Sequence, residues 1–128
     1  MAMAHFQIPR NLPHAATLAR RIHSRLVTMG VAENPEATVL MSHMEAIQEL
    51  LDPYDGGEEP PEAQGLQVAE ETAAVGREAV AEIERIGAGE DRLGQWIRNL
   101  YECLGMGEEG AALSLRAGEN PDSLMRPR

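Results

Sequence analysis

Any chemistry in this chain would have to come from four histidines, one cysteine and a surplus of carboxylates. His5, His14, His23 and His43 form no HExxH arrangement and no ExxH pair of the kind used by di-iron bundles. Met41, His43 and Met44 are soft donors of the type copper(I) takes, but Met44 falls on an apolar helical stripe, where methionine is core filler. Asp52, Asp55, Glu58 and Glu59 offer hard oxygens suited to calcium. Their spacing departs from the twelve-residue calcium loop, and Pro53 stands second. No metal and no cofactor is therefore expected. Ser24, Ser42, Ser114 and Ser123 sit in no GxSxG elbow, and Cys103 falls on an apolar helix flank, where a thiol is inert. All eleven positive side chains are arginine, so lysine-dependent phosphate loops and Schiff bases are excluded. Acids are abundant, but no two pair as catalytic acid and base from spacing alone. The expectation is a protein that is not an enzyme.

Charge is laid out in blocks. Residues 1–32 carry Arg10, Arg20, Arg21 and Arg25 with no acid, whereas residues 33–76 carry eleven acids and no base. Residues 77–128 are mixed, and the whole chain has a formal charge of −10. Adjacent blocks of opposite sign can neutralise each other within one subunit or between subunits. The groups placed to do so are Arg20, Arg21 and Arg25 on one side and Glu45, Glu49 and Asp52 on the other.

The elements that must position these groups follow from apolar spacing. Leu12, Ala15, Ala19, Ile22, Leu26 and Met29 make a three-four stripe, capped by Asn11 and ended by Gly30. Ala37, Leu40, Met44, Ile47 and Leu51 make a second, opening at Asn34-Pro35-Glu36 and stopped by Pro53. A third helix is predicted from Pro61 or Glu62 to Ile86, with the stripe Leu66, Ala69, Ala73, Gly76, Val80 and Ile83. Its small side chains would let another backbone come close. A fourth opens at Glu90-Asp91, carries Leu93, Ile97, Leu100 and Leu104, and closes at Gly105; a short helical piece is then expected over Ala111 to Leu115.

These segments predict an all-α fold, a small bundle of four main helices plus a short C-terminal helix-turn segment. With aromatics at only 3%, a β-sandwich core is excluded. The expected organisation is an arm over residues 1–11, a bundle over 12–104 with an exposed acidic loop at 52–65, and a C-terminal segment over 105–128. Met1, Met3, Phe6 and Ile8 in the arm are apolar enough to fold back or to dock on a partner. No apolar run approaches the ~18 residues of a membrane span, so the expected setting is the cytoplasm, or a virion if the protein is viral.

Within residues 93–126, the run from Leu113 through Arg116, Gly118, Asn120, Pro121 and Ser123 to Leu124 resembles the helix-turn-helix of lambda-repressor-like DNA-binding domains. The resemblance implies a first helix over 91–104, a second over Glu108 to Arg116, a turn at Gly118 and recognition from Pro121 onward. An alternative register places the turn at Leu104-Gly105-Met106-Gly107 and recognition on Glu108 to Leu115. The segment breaks off at Arg128, short of the family's later helices. Arg116, Asn120, Ser123 and Arg126 are the DNA contacts implied, although residues 105–128 carry four acids against three arginines where DNA readers present a basic face.

Three functions fit these observations. The first is a protein-interaction or assembly module that self-associates as a homo-oligomer or docks on a protein partner. The second is a DNA-binding regulator using the C-terminal segment. The third is an acidic inhibitor that imitates nucleic acid through the block at 33–76.

Overall fold

Asn11 starts the first helix as its spacing predicts: its side-chain oxygen accepts the His14 N–H at 3.1 Å. The computed structural model describes residues 9–86 and 93–113. They form α1 (Leu12–Thr28), α2 (Thr38–Leu51), α3 (Glu62–Ile86), α4 (Leu93–Cys103) and a short α5 (Gly107–Ala111), with no strand among the described residues. The chain is all-α. Residues 1–8, which hold most of the expected arm, lie outside the described residues, as does the predicted break at Gly87-Ala88-Gly89 with Glu90-Asp91.

Consecutive helices run antiparallel. The backbone N–H of Asn11, at the start of α1, donates to Cys103 O at the end of α4 (2.8 Å), while Arg25, near the end of α1, lies over Trp96 at the start of α4. His23 of α1 faces Glu45 of α2, and His43 of α2 faces Glu78 of α3. α1 packs on both α2 and α4, and α2 packs on α3. The core lies between them: Leu12, Ile22 and Leu26 from α1, Leu40, Met44 and Ile47 from α2, Ile83 from α3, and Ile97 and Leu100 from α4 are all buried.

Several boundaries differ from the predicted ones. Asn34 caps a 3-10 turn at Pro35–Ala37, accepting the Glu36 N–H at 3.0 Å, and the α-helix begins only at Thr38. Thr38 Oγ1 donates back to Pro35 O at 2.9 Å, which holds the turn tight. Met29 was expected on the core stripe but is 51% exposed, because it lies past the last turn of α1, where Gly30 takes φ +84°. Leu66 also points outward; the buried face of α3 is Gly65, Ala69, Thr72, Ala73, Gly76, Ala79 and Ile83. Thr72 is tolerated there because its hydroxyl donates to Val68 O at 2.8 Å. The short helix α5 occupies Gly107–Ala111 and so begins earlier than the expected piece over Ala111 to Leu115, of which Ser114 and Leu115 lie outside the described residues. Glu108 and Glu109 in its first turn complement the helix dipole.

The acidic loop does more than connect α2 to α3. Glu59 Oε1 accepts the Leu12 N–H at 2.6 Å and so serves the amino end of α1 with a carboxylate. Beside it, Arg10 pairs with Glu62 (3.2 Å) and donates to Leu104 O (3.3 Å).

The small residues of α3 admit a ring, not a backbone. Tyr101 of α4 is fully buried, wedged between Gly76 of α3 and Gly110 of α5, and its hydroxyl donates to Ala73 O at 3.0 Å. A methyl at Gly76 would sit 2.8 Å from the tyrosine oxygen; one at Gly110 would sit 2.7 Å from its Cβ and 3.2 Å from Arg98 O. Burial, reinforced by the Glu109 carboxylate, pushes the Tyr101 phenol up to about 12 from 10.0. Burial, with Glu102 nearby, raises the Cys103 thiol to about 11 from 9.0.

Three outcomes are expected. In urea unfolding, Gly76→Ala and Gly110→Ala should each cost about 1–3 kcal/mol. The Gly76→Ala cost should shrink in a Tyr101→Phe background, whereas that of Gly110→Ala should not, because its clash is with Cβ and backbone. Both raised pKa values favour the neutral forms in the fold. Stability should therefore be complete below about pH 9 and fall as pH rises toward 12. A plot of unfolding free energy against pH should show Tyr101→Phe removing roughly 2 kcal/mol of the loss between 10 and 12, while the Cys103 contribution between about 9 and 11 remains. Glu59→Ala should lower stability by about 1 kcal/mol, seen as a lower urea midpoint.

Candidate interaction surface

The charged groups singled out by the sequence meet different partners. Arg20, midway along α1, reaches Asp55 at 2.7 Å and Asp52 at 3.7 Å, both in and just beyond the 3-10 turn that ends α2. This pair joins the basic and acidic blocks within one chain. Glu45 lies 3.6 Å from His23 Nε2, not against an arginine. Arg25 places its guanidinium 5.6 Å from the centroid of the Trp96 ring, a cation–π contact with α4. Arg21 and Glu49 are exposed, and neither side chain has a hydrogen bond or ion pair among the described residues.

So of the six groups, Arg20 and Asp52 are brought together, Glu45 and Arg25 are engaged by other residues, and Arg21 and Glu49 face solvent. Helical spacing alone does not point to Asp55 or Trp96 as the partners of Arg20 and Arg25. Asp55 stands three residues past Asp52, a separation that one tight turn brings to the same side. Trp96 stood beside the α4 stripe, where an aromatic ring can serve a cation from the neighbouring helix.

Other cations are already paired. Arg77 meets Glu109 at 2.6 Å, linking α3 to α5, and this hydrogen bond and charge raise the arginine's pKa further. Arg85 pairs with Glu82 at 2.8 Å, which again raises it, and donates to Glu36 O at 3.2 Å. Arg98 donates to Leu113 O, fastening the chain after α5 to α4. Its Nη1, with His23 Nε2 and Gln48 Oε1, is a buried polar atom without a hydrogen-bond partner among the described residues.

Apolar exposure is concentrated at one end of the bundle. Val27 is 48% exposed, Met29 51% and Val39 46%, and all three lie where α1 gives way to α2. Leu66 is the remaining large apolar residue exposed among those described.

The described part of the helix-turn-helix-like segment is α4, a turn at Gly105 with φ +78°, and α5. Arg116, Asn120, Ser123 and Arg126, the implied DNA contacts, lie outside the described residues. In the alternative register, recognition would open on Glu108 and Glu109, and the Glu109 carboxylate is engaged by Arg77.

Among the described residues, no group of three or more histidine, cysteine or acidic side chains is placed to hold a metal ion. None of the described helices is long and apolar enough to cross a membrane. No protein-family model matches the chain, and neither a curated protein nor a solved structure matches it.

Proposed function

We propose that this chain is a non-enzymatic interaction or assembly module that acts through the end of the bundle where α1 passes into α2. The observation that carries this reading is the grouping of Val27, Met29 and Val39, each about half exposed. Isolated exposed aliphatics are ordinary on protein surfaces; several at one end of a small bundle mark a place where another surface can be covered. Completing the burial of a valine or methionine side chain contributes on the order of 1 kcal/mol each when half is already covered. The setting that suits this role is the cytoplasm, or a virus particle.

The test compares the wild type with a Val27→Asp/Met29→Asp/Val39→Asp variant by sedimentation over a range of concentrations and by quantitative co-purification from native cells. The expected result is an assembly or a partner that the variant loses at an unchanged melting temperature, since these side chains are outside the core. Identical behaviour of the two proteins would overturn the reading. Duplex-DNA binding that weakens steeply with salt and with Arg116→Ala or Arg126→Ala would instead establish the regulator. A nucleic-acid enzyme retained through the acids of residues 33–76 would establish the inhibitor.

A further inference from the structure

Among the described residues, exposed carboxylates dominate the passage from α1 to α2. From Val27 to Leu51 there is no arginine or lysine, and Glu33, Glu36, Glu45 and Glu49 are exposed along that stretch. The arginines bordering it are engaged: Arg25 by the Trp96 ring, Arg85 by Glu82 and the Glu36 carbonyl. A second copy docked about a two-fold axis would set these carboxylates against their own equivalents, and like charges face to face are costly at an interface. Phosphate-bearing surfaces, whether nucleic acid or acidic lipid, meet the same repulsion. A cationic partner meets those carboxylates with the opposite sign, and the two arginines at the border, Arg25 and Arg85, are already engaged by Trp96 and Glu82.

We infer that this end of the bundle binds a basic amphipathic segment of a partner protein. Apolar side chains at helical spacing cover Val27, Met29 and Val39, while arginine or lysine side chains on the flanks of the same segment reach Glu33, Glu36 and Glu45. This is the helix-on-apolar-surface mode of recognition, with the acidic rim setting orientation and on-rate. The inference rests on the proposed interaction role and names its partner's chemistry.

The probe is a synthetic helix-forming peptide of about 18 residues with leucine on one face and arginine on the other. Its control is an isomer of the same composition with the leucines dispersed around the helix. Calorimetric titration at about 0.15 M salt should show the amphipathic isomer binding at least about tenfold more tightly. A Val27→Ser/Met29→Gln/Val39→Thr variant, unchanged in charge, should lose that preference, and Glu33→Gln/Glu36→Gln/Glu45→Gln should weaken binding of both peptides. Equal binding of the two isomers would reduce the contact to bulk charge and overturn the inference, as would no binding at all. Sedimentation of the same proteins separates the two levels. A wild type that self-associates through these residues and binds neither peptide keeps the interaction role and removes the basic partner. A monomer that binds neither and loses no co-purifying partner on substitution removes both.

Discussion

The bundle closes because Tyr101 spans the gap that α3 leaves. The buried face of α3 is made of glycine, alanine and threonine until Ile83, and its backbone barely approaches that of α4. One buried phenol ring supplies the missing volume, lodged against Gly76 on one side and Gly110 on the other. A tyrosine is worth a large apolar area when buried, but its hydroxyl must find a partner there; Ala73 O provides it. The same side chain seats α5, since Gly110 packs against its Cβ and the Arg98 carbonyl, and the Arg77–Glu109 pair crosses the same seam nearer the surface. Small residues on α3 and α5 are thus complementary to one large residue on α4.

The two ends of the bundle differ. At one end, three consecutive residues entering α1 are tied to distant parts of the chain: Arg10 to Leu104 and Glu62, Asn11 to Cys103, and Leu12 to Glu59. The acidic loop takes part in this closure, so carboxylates that look like a solvated linker act as helix cap and ion-pair partner. Arg20 with Asp52 and Asp55 extends the neutralisation along α1 and α2. At the opposite end the α1–α2 passage leaves valine and methionine side chains in solvent beside exposed carboxylates. Charge is thus used internally at one end and left exposed at the other, and this difference supports the proposed interaction surface.

Much of the helical framework was legible. Asn11 and Gly30 delimit α1, Pro53 follows the end of α2, and α3 runs from Glu62 to Ile86 as its periodicity indicates. These signals are local: a capping side chain, a positive φ or a missing N–H acts within a few residues. Legibility failed where a helix face had to be assigned among small residues. Leu66 is the bulkiest group in the first half of α3, so it was drawn onto the stripe; the buried row is displaced from it because Gly65 packs beside Arg10 and Glu59. Met29 failed for a simpler reason, since apolar spacing continues past the point at which the helix stops. Tyr101 was passed over because nothing in its own neighbourhood announces that Gly76, some twenty-five residues away, and Gly110 will flank it.

The sequence by itself determined an all-helical chain, the starts and stops of its main helices, the poverty of catalytic groupings and the segregation of charge, because composition, periodicity and capping act at short range. Tertiary structure decided which charges meet. It turned Arg20 toward Asp55 within the same chain, set Arg25 on Trp96, and left Arg21 and Glu49 in solvent. It also decided which apolar residues stay outside. Those outcomes depend on how helices far apart in sequence are brought side by side, α1 against α2 and α4 for these charges, and α3 and α5 against Tyr101 of α4 for the small residues.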